Sequence, residues 1–175
     1  MNFLELLLFI IPAYVANSVP VVFGGGAAID GGRLFSDGRH WFGASKTVRG
    51  FLAGVAFGAL AGVALAFLAN EHYFPGLSHG SKIFLATGLA LGAMAGDIAG
   101  SFVKRRLAMR PGTQSWLLDQ LPFFLGAMAF GTLSWNGLPQ AIGFDGFVFL
   151  AVLTVLLHSF FNFLANKAGL KKVPW

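Results

Sequence analysis

Apolar residues run almost unbroken through five stretches of this chain, roughly 3–23, 49–69, 82–103, 117–136 and 146–166, with most of the charge confined to the segments between them. A hydrocarbon layer about 30 Å thick takes about 20 helical residues to cross at 1.5 Å per residue, and each stretch has that length. Inside a bilayer no water satisfies backbone groups, so an apolar span of this kind must be helical. The pattern predicts an all-α integral membrane protein of five transmembrane helices, with residues 1–175 forming one membrane-embedded domain.

The polar segments set the expected orientation, because Lys and Arg concentrate on the cytosolic side. Arg33, Arg39, Lys46 and Arg49 follow the first stretch, Lys104, Arg105, Arg106 and Arg110 follow the third, and Lys167, Lys171 and Lys172 lie at or beyond the end of the fifth. Only Lys82 falls on the other side, in a segment shared with Glu71, His72 and His79. This places the N-terminus outside, the C-terminus in the cytosol, and two basic loops facing the cytosol. The first stretch carries Glu5 where a cleavable signal would carry a cation, so it is read as a span.

Composition agrees: 56% of residues are hydrophobic and 11% charged, with 24 glycines and 20 phenylalanines. Such a chain is no soluble domain. With no cysteine there is neither a disulfide framework nor a thiolate ligand, so a metal would need oxygen or imidazole donors. The basic balance is explained by topology and by an anionic small ligand, and no nucleic-acid partner is expected.

Two spans carry glycine at every fourth position: Gly50, Gly54, Gly58 and Gly62 in the second, and Gly88, Gly92, Gly96 and Gly100 in the third. Small residues at this spacing let helices approach closely in lipid, so the two strips are expected to touch. On the third span, Asp97 stands inside the apolar run, which costs about 2.5–3.5 kcal/mol on insertion scales and makes it a candidate metal or phosphate-linked ligand, the alternative being a buried structural partner for an arginine. Ser101 lies at i+4 from Asp97, and Lys104 one turn further, giving one face that runs from acid to base. Asp119 opens the fourth span, across a loop holding Lys104, Arg105, Arg106, Arg110 and the turn signal Pro111-Gly112.

Two carboxylates with cations suit a Mg2+-bound polyphosphate, since Mg2+ takes one or two carboxylates and fills its shell with water and phosphate oxygens. Between the first two spans, Gly24-Gly25-Gly26, Asp30-Gly31-Gly32, Asp37-Gly38-Arg39 and Gly43-Ala44-Ser45-Lys46-Thr47-Val48-Arg49 form a glycine-rich loop that ends on a helix N-terminus, a setting for phosphate contact. Ala44 and Ser45 separate Gly43 from Lys46, so it is not a Walker A loop.

These residues resemble the membrane CTP-dependent cytidylyltransferases: the CDP-diacylglycerol synthases (phosphatidate cytidylyltransferases) and their shorter archaeal relatives, the CDP-archaeol synthases. Ser101, Lys104, Arg105, Arg106, Arg110, Pro111, Gly112 and Asp119 follow the order of the family signature, with Gly96-Asp97 upstream, and Ser45 to Phe51 is similar to its Lys-Thr-Trp-x-Gly-Phe segment. Thr113-Gln114-Ser115, Gln120 and Pro122 depart from the longer signature, which favours the archaeal branch. The resemblance implies transfer of CMP from CTP to a lipid phosphate, 2,3-di-O-geranylgeranylglyceryl phosphate in that branch, yielding CDP-archaeol and pyrophosphate. On that basis Asp97, Lys104 and Asp119 are the expected catalytic residues, with Asp97 and Asp119 as Mg2+ ligands. Lys46, Thr47, Arg49, Ser101, Arg105, Arg106 and Arg110 are the expected substrate-binding residues. The expected location is the cell membrane, as a multi-pass protein whose site meets cytosolic CTP and an isoprenoid ether lipid phosphate in the bilayer.

Phosphatidate as acceptor, a polyprenol kinase, a small cation or proton transporter and a structural membrane protein are the alternatives. Clustering of polar groups at one membrane face argues against a conduit. His158 and Asn162 in the fifth span, and Asn17 and Ser18 between Pro12 and Pro20 in the first, are candidate pocket or interhelical groups. His40 and Trp41 could meet the base, whereas Trp116, Trp135 and Trp175 read as interfacial anchors.

Overall fold

The computed structural model describes residues 1–110, 113 and 115–169, with the side chains of Trp116 and His158 excepted. Pro111, Gly112, Gln114, Lys171, Lys172 and Trp175 therefore lie outside the described residues, as do the side-chain roles expected of Trp116 and His158. Among the described residues six helices follow in order: α1 Phe3–Ser18, α2 Pro20–Phe23, α3 Val48–Leu68, α4 His79–Arg106, α5 Trp116–Ser134 and α6 Leu138–Lys167. Among the described residues the only β pairing is two isolated bridges, Ala28 with Thr47 and Leu34 with His40. Segments Phe3–Phe23, Val48–Leu68, His79–Arg106, Leu117–Ser134 and Leu138–Lys167 are each long and apolar enough to cross a membrane.

Helix starts are chemically marked. Asn2 and Glu5 form a capping box on α1, Thr47 caps α3, Ser78 caps α4 and Ser115 caps α5. The last helix starts well before the expected 146, because Pro139 near its N-terminus suits a first turn and helical hydrogen bonding resumes after a kink at Gly143, where φ is 69°. Asp145 therefore belongs to a helix rather than a loop.

α4 is the central rod, packed by α1, α3 and α5. The glycine strips work differently from the expectation that they face each other. Gly54 and Gly58 of α3 have room for no side chain: a Cβ would lie 2.7 Å from Ala16 O and 2.6 Å from Ala90 Cβ, respectively. The α3 strip thus receives the Pro12 and Ala16 carbonyls of α1 and the Ala86, Ala90 and Met94 side chains of α4. Ala16 O is also the carbonyl that Pro20, lacking an N–H, cannot satisfy. The α4 strip turns instead to α5, where Gly92 meets Gly126 and Phe130, and Gly96 and Gly100 meet Pro122. Periodicity announces close approach but does not name the partner.

The core joins Phe9, Ile10, Ala13, Leu85, Leu89, Phe124 and Leu150 from four helices, while Leu52, Leu60, Phe84, Leu125, Leu133, Val152, Leu156 and Phe160 lie exposed on the outside, as a lipid-facing surface requires. At the end away from Asp97, Lys82 is wholly buried and donates to Asn70 O at 2.7 Å, and Trp135 packs edge-on to Phe74. The opposite end gathers the C-terminal parts of α1, α2, α4 and α6, the N-termini of α3 and α5, and the loop 24–47.

Candidate functional site

Loop 24–47 is held in shape by its own acids. Asp30, its side chain 1% exposed, accepts backbone N–H groups from Gly32 (2.9 Å), Phe42 (3.1 Å) and Gly43 (2.9 Å), with His40 Nδ1 3.9 Å away. Burial pushes this carboxyl upward, but the three N–H donors and His40 outweigh it, leaving the group below its ordinary value. Gly43 can turn its amide inward because it sits at φ 94°, which a larger residue adopts only with strain. The end of the loop is fixed by Ile29 N donating to Lys46 O at 2.8 Å and Val48 N to Ala27 O at 3.0 Å.

Asp37 does a second fastening. It accepts from Arg106 Nη1 at 2.8 Å, while Arg106 Nη2 reaches His40 O at 2.7 Å and Arg39 Nη1 reaches Arg106 O at 3.1 Å. The Arg106 guanidinium also lies 4.5 Å from the Phe35 ring centroid and 5.0 Å from that of Phe102, and Trp41 packs on the same two rings. A planar guanidinium can satisfy all these at once, and a lysine could not. Arg106 therefore clamps loop 24–47 to the end of α4.

The remaining sequence candidates divide by what their atoms already do. Thr47 Oγ1 accepts Gly50 N at 3.1 Å as the α3 cap, and Phe51 N bonds Thr47 O, so most first-turn amides of α3 that were expected to meet phosphate are satisfied internally. Arg49 donates from Nε to Phe23 O at 2.9 Å and from Nη2 to Gly24 O, closing the carbonyl end of α2. Arg110 is exposed, and Ser101 is buried between α4 and its neighbours. Arg105 Nε is buried without a hydrogen-bond partner.

Two ion pairs lie at the centre of this end. Lys46 Nζ donates to Asp97 Oδ2 at 2.6 Å, with side chains 23% and 24% exposed, so the pair is half sheltered yet within reach of a ligand. Lys104 pairs with Asp119 Oδ1, and Asp119 Oδ2 accepts Ser115 N at 2.8 Å. Asp97 and Lys104 are seven residues apart on α4, two turns and about 10 Å along one face. The fold thus brings both sequence-predicted acids to that face, one from α4 itself and one from the start of α5. Each arrives with a lysine from a different segment. Among the described residues there is no group of three acidic or histidine side chains in metal-binding proximity. Asp97 and Asp119 carry hard carboxylate oxygens of the kind Mg2+ takes, but here they stand in separate pairs about two turns apart along α4, each holding a lysine ammonium.

Sequence reasoning missed the parts of Asp30 and Asp37. The Asp-Gly pairs marked them as turn residues, and the neighbouring glycines with exposed amides were the available signal that each carboxylate would serve backbone N–H groups.

Comparison with known proteins adds to this geometry. A family model described as CarS-like, CDP-archaeol synthase, matches residues 1–175. A CDP-archaeol synthase from Aeropyrum pernix is 43% identical over 175 residues, covering 99% of this chain and 93% of its own. One from Pyrococcus horikoshii is 44% identical over 172 residues, covering 98% and 96%. A solved structure, described as an intramembrane enzyme for archaeal membrane lipids biosynthesis, is 39% identical and superposes with a TM-score of 0.76 over 90% of this chain and 92% of that one.

Proposed function

The chain belongs to the CarS-like family of CDP-archaeol synthases, and from that premise we propose that the two Lys–Asp pairs form the place where it works. It is a multi-pass membrane enzyme that transfers the CMP of CTP to a lipid phosphate, producing CDP-archaeol for lipid biosynthesis. Residues 1–175 act as one catalytic unit, with the Asp97 end facing the cytosol, as the distribution of Lys and Arg favours.

In the reaction an oxygen of the lipid phosphate forms a bond to the α-phosphorus of CTP, and the bond from that phosphorus to the bridging oxygen of the β-phosphate breaks. Pyrophosphate leaves with the electron pair. The attacking oxygen is already anionic, so no general base is needed, and the barrier is largely the meeting of two anions. Asp97 and Asp119 would hold Mg2+, which supplies charge neutralisation on the phosphate oxygens when bound. Lys46 and Lys104 neutralise these carboxylates in the free protein, and each can swing its ammonium to a phosphate when nucleotide arrives. Arg105 contributes a third cation at the base of α4. Ser101 can donate to a phosphate oxygen, Thr47 and Arg49 set the position of Lys46, and Arg106 sets that of the loop. Arg110, exposed beyond the end of α4, adds positive charge that would attract incoming CTP.

The observation that supports this reading most is that four charged side chains from the loop, α4 and α5 meet as two half-sheltered pairs at one end of an otherwise apolar bundle. Purified protein with Mg2+, offered CTP, dCTP, ATP or GTP with ether-linked or diacyl lipid phosphate, tests it. CDP-lipid and pyrophosphate from CTP with the isoprenoid ether lipid are the expected products. Release of ADP or CDP instead would indicate a kinase, and failure with every CTP and lipid pair would end the reading.

A further inference from the structure

At the site end of the bundle one buried side chain is incompletely paired for a reason internal to its own chemistry. Gln120 is 4% exposed, and its Oε1 has no hydrogen-bond partner. Its Nε2 donates to Ser159 Oγ at 3.2 Å, while the hydroxyl of Ser159 is itself donated to Val155 O at 2.9 Å. Turning the carboxamide over does not help: Oε1 would then face Ser159, and the NH2 would be the unpaired end. Either way a strong polar group is left unpaired where the helices bury it.

Its place gives this a meaning. Gln120 follows Asp119 directly, so the two Cα atoms differ by about 1.5 Å in depth along α5. Asp119 reaches α4, whereas Gln120 reaches α6. The same segment of α5 puts Phe123 against Tyr14 of α1 and Phe124 against Phe147 of α6, so Gln120 stands at the junction of α1, α5 and α6. The far side of α6 presents Val152, Leu156, Phe160 and Phe161, each more than half exposed, as a lipid-facing surface requires.

The acceptor of the reaction proposed above must keep its tails in the bilayer and bring its phosphate to the depth of Asp119. Between phosphate and tails lies a glycerol unit whose oxygens, ether or phosphate-ester, accept hydrogen bonds and donate none. The geometry points to Gln120 as a binding residue for the lipid acceptor, its carboxamide NH2 donating to a glycerol oxygen of the lipid phosphate. In the complex the amide turns over, so that Nε2 faces the lipid and Oε1 accepts the Ser159 hydroxyl. Val155 O loses that hydroxyl but keeps its helical N–H partner. Every polar atom of the pair is then satisfied, which neither amide orientation achieves in the free protein.

This inference rests on the cytidylyltransferase reading, and the test separates the two. The wild-type chain, Gln120→Met and Ser159→Ala are purified in detergent with short-chain ether lipid phosphate, and KM is measured for lipid at saturating CTP and for CTP at saturating lipid. Gln120→Met keeps side-chain length and removes the amide, and the loss of one neutral hydrogen bond is expected to raise the lipid KM about three- to tenfold. The CTP KM should stay within about twofold, as expected for a contact made only to the lipid. Ser159→Ala, which removes the hydroxyl that holds the turned amide, should raise the lipid KM in the same direction by less. If Gln120→Met does not fold, the Ser159→Ala measurement decides. An unchanged lipid KM, or an equal rise in both KM values, overturns the role of Gln120 while leaving the reaction standing. Absence of CDP-lipid from the wild-type protein would overturn both.

Discussion

Adding one methyl group at Gly96 tests whether the α4–α5 contact sets the site. A Cβ there would lie 2.7 Å from the carbonyl carbon of Pro122 and 2.9 Å from Phe123 Cα, both backbone atoms that cannot rotate away. Carbon atoms in contact sit about 3.5–4.0 Å apart, so the N-terminal part of α5 must retreat by about 1 Å. Overpacking of this kind typically costs about 1–3 kcal/mol of stability. The larger consequence is positional, because Asp119 precedes Pro122 by less than one turn and is held against Lys104 of α4. A displacement of 1 Å in a phosphoryl-transfer site is worth about 10²-fold in rate. Gly96→Ala should therefore lose CDP-lipid formation by about that factor while still giving a folded protein in a detergent melting assay. Gly88→Ala is the milder comparison, toward the end of α4 away from Asp97: its Cβ would meet the Ser134 hydroxyl, which can rotate off Phe130 O, and the nearest backbone atom, Phe130 O, would lie 3.3 Å away. Its turnover should stay within about threefold of wild type, because the strain is relieved by a side chain. Wild-type turnover and melting in Gly96→Ala would refute the idea that this backbone contact positions Asp119.

Lys46→Ala should reduce kcat/KM for CTP by about 10²-fold, the scale of a lost transition-state charge contact, whereas Arg49→Ala should mainly lower the melting temperature, since its donors serve Phe23 and Gly24 carbonyls. Arg106→Lys keeps the charge but not the planar fork, and increased proteolytic cutting within 33–46 together with a fall of about 3–6 °C in melting temperature is expected. Asp30 titrates below its ordinary value, so its contribution to loop stability is fully present above about pH 4 and is lost as pH falls through the lower native value. Melting of the wild-type protein should therefore drop at acid pH more steeply than that of Asp30→Asn, which lacks the titration; parallel curves would contradict this.

Much of the fold could be read from hydropathy because a bilayer leaves few choices: a long apolar run must be a helix, and the observed spans start and stop close to where charge resumes. The last helix was the exception. Its first turns contain Gly143 and Asp145, which interrupt the apolar run, although the backbone continues through them after a kink. The glycine strips showed that helices touch, but only coordinates assign α3's strip to α1 and α4, and α4's strip to α5. At the site, Asp97 and Asp119 stood out because isolated acids in apolar runs are costly. The cations were harder to sort, since sequence does not say whether an arginine serves a ligand or a carbonyl. Arg49 and Arg106 proved to be bonded to backbone and to Asp37, while Lys46 and Lys104 are the partners of the two acids. The pairing across the loop after α4 could not be derived from spacing, because it depends on how close α5 returns to α4.

The most direct test of the central claim is CDP-lipid formation by Asp97→Asn across a Mg2+ titration, with folding followed in parallel. The substitution keeps the shape of the side chain and a partner for Lys46 but removes the charge that would hold the metal. Turnover reduced by at least about 10²-fold at millimolar Mg2+, with an unchanged melting profile, is the predicted result. Wild-type turnover at ordinary Mg2+ would contradict the assignment of this carboxylate, and with it the site built around it.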